Sequence, residues 1–148
     1  MIWKPHVTVA AIIERQGRFL MVEEVVAGET VINQPAGHLE SGEDLIGAVT
    51  RETLEETAWH FIPDSIIGIF QWTSPRDGET FLRICFNGSC HQHDPGRMLD
   101  QGIIRAVWLS RDELLDQHLR SPLVLLAIDE YLAGKRYPLE LLSLVEPG

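Results

Sequence analysis

The sequence predicts an α+β fold in which a mixed β-sheet is covered by helices. Apolar, β-branched segments bounded by turn signals indicate strands, and one segment with a helical period of apolar residues indicates an amphipathic helix. Their order is strands, helix, strands and helices, which is typical of an α+β domain. The chain has 148 residues, of which 45% are hydrophobic, so it is long enough to bury a core. No linker or repeat divides it, and we expect one domain over residues 1–148.

The first third of the chain is expected to form strands. Residues 6–13 are apolar and rich in β-branched side chains, which indicates a largely buried strand. Residues 19–26 follow a Gln-Gly turn and are expected to be its antiparallel return. A further turn precedes a short strand at residues 30–33. The segment Pro35-Ala36-Gly37 is then expected to end that strand and to begin a loop.

A helix is predicted to begin near residue 42 or 43 and to run to about residue 56. Its apolar stripe consists of Leu45, Ala48 and Val49. This stripe continues directly into Glu52 and Glu56, whereas a solvated run of glutamates normally lies opposite the core face. We therefore expect the helix to enter the core at one end and to present carboxylates at the rim of a cleft at the other.

The second half of the chain is expected to supply the remaining strands. Residues 66–73 and 81–90 have strand patterns, and the segment between them contains Pro followed by Asp-Gly, which is a strong hairpin signal. Residues 91–102 are polar and are expected to form a loop of the length that is often functional. Residues 103–109 are expected to form the last strand.

Two helices are expected to follow that strand. Ser110 and Glu113 have the spacing of a capping box, which opens a short helix. Ser121 and Pro122 provide an N-cap and a first helical residue for the final helix. Gly134 is expected to end it.

Composition and charge exclude several classes of protein. The formal net charge of −10 argues against a broad nucleic-acid surface, which is normally basic, so no DNA partner is expected. Such an acidic protein can hold a polyphosphate only where bound metal or a few arginines invert the local charge. Cys85 and Cys90 would fall on opposite faces of a strand, which disfavours a disulfide. Without a signal sequence or an apolar run of about 18 residues, we expect a cytoplasmic location and no membrane partner.

The segment from Arg51 to Glu56 concentrates negative charge on one helical face. Residues three and four apart are neighbours on a helix, so Glu52, Glu55 and Glu56 repel one another. A hard divalent cation with oxygen ligands is the strongest candidate to compensate that repulsion. The alternative is a solvated helix with weak surface ion pairs, and the apolar stripe in line with the carboxylates argues against it.

The spacing of these residues resembles the signature of the Nudix hydrolases over residues 37–59. The matching positions are, in order, Gly37, Glu43, Arg51, Glu52, Glu55 and Glu56. The resemblance implies a Nudix-type α+β fold, in which a mixed β-sheet is sandwiched between helices and carries a strand-loop-helix-loop catalytic motif. It also implies a Mg²⁺-dependent enzyme that cleaves a phosphoanhydride in a nucleoside diphosphate linked to another group. Further along, Trp108-Leu109-Ser110 is similar to the segment that leads from strand to helix in Nudix domains.

Two residues depart from the family pattern, and four segments resemble one bacterial member of the family more closely. The family prefers an aliphatic residue where Thr53 stands and a glycine where Ala58 stands, and alanine is costly if the helix exit requires a positive φ. The narrower resemblance is to a bacterial Nudix phosphatase, and lies in residues 4–10, 33–40, 119–124 and 136–140. It implies hydrolysis of nucleoside di- and triphosphates and of hydroxymethylpyrimidine pyrophosphate, with release of phosphate.

The resemblance also implies roles for the residues of the motif. The expected ligands of Mg²⁺, or of Mn²⁺ as a substitute, are Glu52, Glu55, Glu56 and the backbone carbonyl of Gly37. Glu52 is the candidate general base by analogy, although in some family members the base comes from a loop; Arg51 and Glu55 complete the candidate catalytic group. Arg51 and Glu43 lie eight residues apart, or about 80° around a helix. Their long side chains can meet there and orient the catalytic helix.

Substrate contacts are expected from residues outside the acidic helix. Trp72, together with Phe70, could stack on a base, although alternate aromatic residues of a strand also serve a core. Arg83 could clamp a phosphate or simply lie on the sheet surface. His38, next to Gly37, could approach the substrate or be an ordinary loop residue.

Other polar residues are weaker candidates. Asp94 or Asp100 could supply the extra acid that some Nudix enzymes take from this loop. His91 and His93 lack the partner spacing of a zinc site. Arg76 lies in a predicted turn and is expected to be solvated. The stretch Arg136-Tyr137-Pro138 is expected either to end a helix or to help line the pocket.

The leading hypothesis is thus an enzyme whose partner is a small nucleotide or pyrimidine pyrophosphate, acting as a monomer or homodimer. One rival is a Nudix module that senses a nucleotide without turnover, which the intact charged motif disfavours. A second rival removes pyrophosphate from RNA 5′ ends, which the acidic charge balance disfavours.

Overall fold

The computed structural model describes residues 1–148. Its eight strands and three α-helices are β1 (His6–Ile12), β2 (Glu14–Arg15), β3 (Arg18–Val26), β4 (Glu29–Asn33), β5 (Ala36–His38), α1 (Leu45–Thr57), β6 (His60–Thr73), β7 (Thr80–His91), β8 (Ile103–Ser110), α2 (Arg111–Leu114) and α3 (Leu123–Leu132). A 3₁₀ turn follows at Leu139–Leu141. None of the helices combines the length and the apolar character that crossing a membrane requires.

The strands form two four-stranded sheets. The first has the order β5-β1-β7-β6 and is mixed, because β1 and β7 run parallel whereas the other neighbours run antiparallel. The second is antiparallel and consists of β2, β3 and β4, with β8 paired to β3. The predicted mixed sheet is therefore confirmed, and the second sheet adds to it.

Strand β1 lies at the centre of the core, with a helix against each face. One face packs against α1 through Val9, Ala11, Ala48 and Val49. The other face packs against α3 through Ala10, Ile12, Val124, Ala127 and Ile128. Burial on both faces explains why β1 reads as a continuous apolar run rather than an alternating one. The sandwich of sheet between helices is confirmed.

Strands β5 and β6 differ most from the sequence prediction. Residues 36–38 were expected to lie in a loop but form β5, which pairs with β1. Strand β6 begins at His60 rather than at residue 66, and it includes Pro63. Proline lacks the N–H that a ladder needs, and the register shifts beside it between Pro63 and Ser65. At β5 the pairing with β1 overrides the breaker signal of Pro35, and at β6 the pairing with β7 extends the strand past Pro63.

The helix ends follow local chemistry. Helix α1 begins at Leu45, two or three residues later than predicted, because the Asp44 carboxylate accepts from the Gly47 N–H at 2.7 Å as its N-cap. At its exit Ala58 has φ +64°, so a left-handed residue does stand at the position where the family prefers glycine. The capping box of Ser110 and Glu113 is confirmed.

The final helix begins slightly later than the sequence suggested. Its hydrogen-bonded residues start at Leu123, with Pro122 rather than Ser121 in the capping position. The Ser121 hydroxyl still accepts from the Leu123 N–H at 3.2 Å. Gly134, at φ +86°, lies two residues past the end of the helix, as expected of an exit residue.

Candidate active site

Arg51 of α1 is the centre of a hydrogen-bond network that joins this helix to the segments around it. Its Nε and Nη2 donate to the two carboxylate oxygens of Glu43 at 3.0 and 2.8 Å, so the expected contact between these residues is confirmed. Its Nη1 donates to Glu52 and to Glu55, both at 2.8 Å. Its Nη2 also donates to the carbonyl of His38 at 3.2 Å. One guanidinium thus ties the helix to the loop before it and to β5.

Strand β5 brings a glycine against a glutamate. A Cβ at Gly37 would overlap the carboxylate of Glu52, so that carboxylate can occupy its observed position against the strand only because residue 37 is glycine. One residue earlier, the Ala36 N–H donates to Glu56 at 2.9 Å. Strand β5, which the sequence analysis did not predict, therefore holds Glu56 by a hydrogen bond and leaves room for the Glu52 carboxylate.

Burial and mutual repulsion make these carboxylates costly to ionise. Desolvation raises the pKa of Glu52, against the lowering effect of Arg51. Desolvation also raises the pKa of Glu56 to about 9, with smaller contributions from the charges of Glu52, Glu24 and Asp100. The Ala36 N–H acts in the opposite direction. Near neutral pH the Glu56 carboxyl therefore keeps its proton unless a cation compensates its charge.

The donor chemistry of this group fits a hard divalent cation. Glu56 is 8% exposed and Glu52 has 13% of its side chain exposed, so both offer oxygen ligands away from bulk water. Because Glu52 and Glu55 turn toward Arg51, the side chains do not gather three or more acidic or histidine groups around one point. The three glutamates of the predicted site are thus oxygen donors on one helix, and they do not form a cage around one point.

The opposite wall of the site contains aromatic and basic side chains. Glu52 and Glu56 line a cavity of about 470 Å³ that also includes all three predicted substrate contacts, His38, Trp72 and Arg83. The ring of Trp72 is stacked on Phe81 at 6.0 Å between centroids. Glu55 does not line the cavity. Acidic and cationic groups thus face one space, which is the arrangement that a metal-bound polyphosphate needs.

Comparisons with known proteins identify the family. The family model described as "NUDIX domain" matches residues 4–126. The chain belongs to the Nudix family. It is 44% identical over 142 residues to Phosphatase NudJ of Escherichia coli strain K12, which covers 95% of this chain and 92% of that protein. This membership confirms the prediction of a hydrolase that acts on phosphoanhydrides, and the narrower resemblance to a bacterial Nudix phosphatase.

Solved structures agree with this assignment. A Nudix hydrolase from Nitrosomonas europaea superimposes with a TM-score of 0.95 at 48% identity, covering 98% of this chain and 100% of that one. The Nudix domain of Shewanella oneidensis NrtR, solved in complex with ADP ribose, has a TM-score of 0.74 at 16% identity and covers 90% of each chain. At that identity the second likeness shows the Nudix fold alone.

The sequence did not reveal several residues of the Nudix cavity. Glu24, Asn33, Arg120 and Ser121 line it, and they come from β3, the end of β4 and the segment before α3. Their positions depend on which strands lie side by side, which local periodicity does not show. The pairing of Thr8 with Arg83 across the parallel strands β1 and β7 is of this kind.

The weaker candidates divide between the site and the scaffold. Asp100 lies near the site, since its backbone N–H donates to the Glu55 carbonyl at 3.0 Å and its charge raises the pKa of Glu56. Asp94 instead holds its own loop by accepting from the Gly96 N–H at 3.2 Å. Phe70 packs against the core beneath α3, which favours the core interpretation over base stacking.

The remaining candidates lie in the scaffold. His93 stacks on Trp59 at 4.5 Å, and His91 contacts Ser89 at 2.9 Å. Arg136 donates to the Tyr131 carbonyl at 2.9 Å and covers the Tyr131 ring, so it ends the helix as expected. Both cysteines are free and buried.

Proposed function

We propose that this Nudix hydrolase is a Mg²⁺-dependent phosphatase or pyrophosphohydrolase of nucleoside di- and triphosphates. We also propose hydroxymethylpyrimidine pyrophosphate as a substrate, release of phosphate, and residues 1–148 as one functional domain. The strongest support is that Glu52, Glu56 and the buried residue Arg83 line the same cavity. Such a cavity suits a substrate that brings phosphates and a cation together. Similarity to Phosphatase NudJ supports phosphate as the product.

Residues of the acidic helix would hold the cation. Its proposed ligands are Glu52, Glu55, Glu56 and the carbonyl of Gly37, and oxygen donors of this kind suit Mg²⁺ and Mn²⁺. When bound, the ion would neutralise charge on the phosphates and acidify a water. Glu52 is the proposed base that would accept a proton from the attacking water, and Arg51 orients its carboxylate through the 2.8 Å hydrogen bond.

The opposite wall would bind the substrate. The guanidinium of Arg83 is the proposed phosphate contact, because buried cations attract anions strongly where water is excluded. Trp72 offers an aromatic face to a base or a pyrimidine ring. His38 lies at the mouth, where its Nε2 is 3.1 Å from Nδ1 of His6.

A substrate screen tests the proposal. Nucleoside di- and triphosphates, hydroxymethylpyrimidine pyrophosphate and a 5′-triphosphorylated RNA are incubated with Mg²⁺ or Mn²⁺, and phosphate and pyrophosphate are measured separately. We expect phosphate release from the small substrates that EDTA abolishes and added Mg²⁺ restores.

Two results would favour the rival functions. Tight nucleotide binding without turnover would indicate a sensing module, and pyrophosphate release from RNA alone would indicate a 5′-end pyrophosphohydrolase. The cytoplasmic location and the oligomeric state stay predictions.

A further inference from the structure

Arg83 is a buried cation whose direct partners are all neutral. Arg83 is 5% exposed and forms no salt bridge in the structure. Its Nη2 donates to the amide oxygens of Asn33 at 3.1 Å and Gln34 at 2.9 Å, and its Nε has no partner. Buried charges are ordinarily paired with opposite charges, so this arrangement leaves a positive charge in need of an anion.

The surrounding hydrogen bonds determine which way the two amides face. The nitrogen of Gln34 donates to the Val124 carbonyl of α3 at 2.8 Å, which leaves its oxygen for Arg83. The nitrogen of Asn33 donates to Glu24 at 3.3 Å, which likewise leaves its oxygen for Arg83. Asn33 thus lies between a carboxylate and a guanidinium and contacts both.

We propose that Asn33 and Gln34 are positioning residues that hold Arg83 in place without neutralising it, so that its charge is available to the substrate phosphate. This inference rests on the proposed function and deepens it. A carboxylate at either position would hold the guanidinium equally well but would pair with its charge. The amide of Asn33 also keeps Glu24 from pairing with Arg83 directly, so each charge stays free on its own side of the cavity.

The expected consequence is a charge-specific effect on binding. Arg83 is expected to attract a phosphate strongly because its burial shields its charge from bulk water. An added negative charge in direct contact with Arg83 therefore weakens phosphate binding more than the same charge elsewhere in the cavity. Loss of one hydrogen bond to Arg83 without added charge has a smaller effect, because the other amide still holds it.

The test compares Asn33→Asp with two matched controls. Asn33→Ala removes the hydrogen bond and adds no charge. Ser121→Asp adds a carboxylate to the same cavity at a residue without a hydrogen bond to Arg83, and aspartate still accepts from the Leu123 N–H. The probe is a β,γ-methylene nucleoside triphosphate, which is not cleaved at that bond, titrated by calorimetry at one fixed Mg²⁺ concentration.

We expect Asn33→Asp to weaken binding about tenfold or more and each control about threefold or less, on the scale where tenfold is about 1.4 kcal/mol. In the assay Asn33→Asp should raise KM by a similar factor and change kcat less. The double variant Glu24→Gln with Asn33→Asp keeps the net charge of the protein. It also keeps a hydrogen bond between the two residues, because the new amide at residue 24 can donate to the new carboxylate at residue 33. It should bind as weakly as Asn33→Asp, and it serves as the test if the single variant does not fold.

Three outcomes would overturn the inference. They are wild-type affinity in Asn33→Asp and in the double variant, an equal loss in either control, and failure of the wild type to bind the probe. A wild type that binds the probe but releases no phosphate from the parent nucleotide would contradict the proposed function instead. The two ideas can thus fail separately.

Discussion

Helices α1 and α3 cover opposite faces of the same mixed sheet but use different chemistry. Both bury apolar side chains against β1. Helix α1 also buries the carboxyl group of Glu56, whereas the buried residues of α3 are all apolar. The left-handed residue that follows the helix is Ala58 (φ +64°) after α1 and Gly134 after α3. Sites that act on charged substrates contain groups that do not favour folding. The comparison predicts that changes in α3 alter stability and that changes in α1 alter activity.

The largest expected effect is on stability and lies in α3. Ile128 is fully buried, so Ile128→Ala should lower the free energy of unfolding by about 2–5 kcal/mol through lost burial and the cavity left behind. Denaturant unfolding measures this loss. Leu126→Ala is the control, because Leu126 is 41% exposed and should lose far less. At temperatures where Ile128→Ala stays folded, wild-type kcat is expected; a large loss of kcat there would end the division of roles between the helices.

The second effect is on activity and lies in α1. Glu55→Gln or Glu56→Gln should lower kcat by about 100-fold or more, which corresponds to about 2.7 kcal/mol in the barrier, because each removes a carboxylate from the proposed cation site. The glutamine of Glu56→Gln can still accept from the Ala36 N–H. It is also neutral, as the Glu56 carboxyl is near pH 7 with its pKa raised to about 9, so the melting temperature of this variant should not fall. Phosphate release at saturating substrate and Mg²⁺ is the measurement, with the exposed Glu140→Gln as control. Near-wild-type turnover in both variants would refute the assigned site.

The third effect compares the two helix exits. Ala58→Gly should stabilise the protein by up to about 1 kcal/mol, because glycine adopts the left-handed conformation without strain. The higher conformational entropy of glycine in the unfolded chain offsets part of this gain. Gly134→Ala should destabilise it by about 1 kcal/mol, since a Cβ there meets nothing within 4 Å and the backbone conformation alone is affected. Melting curves of both variants give the comparison. If Ala58→Gly proves destabilising, packing of the buried Ala58 methyl outweighs the backbone term.

The acidic helix was predictable because its chemistry is local. Residues three and four apart share a helical face, so the spacing of Glu52, Glu55 and Glu56 was enough to place them on one face of the helix. The spacing did not show that Glu52 and Glu56 line the cavity whereas Glu55 does not. The opposite wall was only partly predictable, because Arg83 reaches the cavity through the pairing of β7 with β1 and Asn33 through the end of β4. Pro35 misled the prediction of β5, because pairing with β1 overrides a local breaker signal. The early start of β6 was missed because it depends on pairing with β7, which local pattern does not show.

The smallest effect concerns an exposed contact between α2 and α3. Arg111 donates to Asp129 at 2.6 and 3.1 Å, and this hydrogen bond lowers the pKa of Asp129. A lowered carboxyl pKa stabilises the fold above the ordinary value of about 3.9, and the contribution disappears as pH falls through the folded-state value. Both side chains are more than a third exposed, so water screens the pair and the gain is small.

Asp129→Asn should therefore lower the melting temperature slightly at pH 7, and the difference from the wild type should close as the pH falls below about 3.9. Thermal melts across that range measure it. Arg111→Gln should show the same closure, and the double variant should lose no more than either single one, because both changes remove one interaction. A pH-independent difference would mean that Asp129 acts through the geometry of α3 rather than through its charge. The purely structural helix would then depend on packing alone, and the contrast with the charged helix α1 would be sharper.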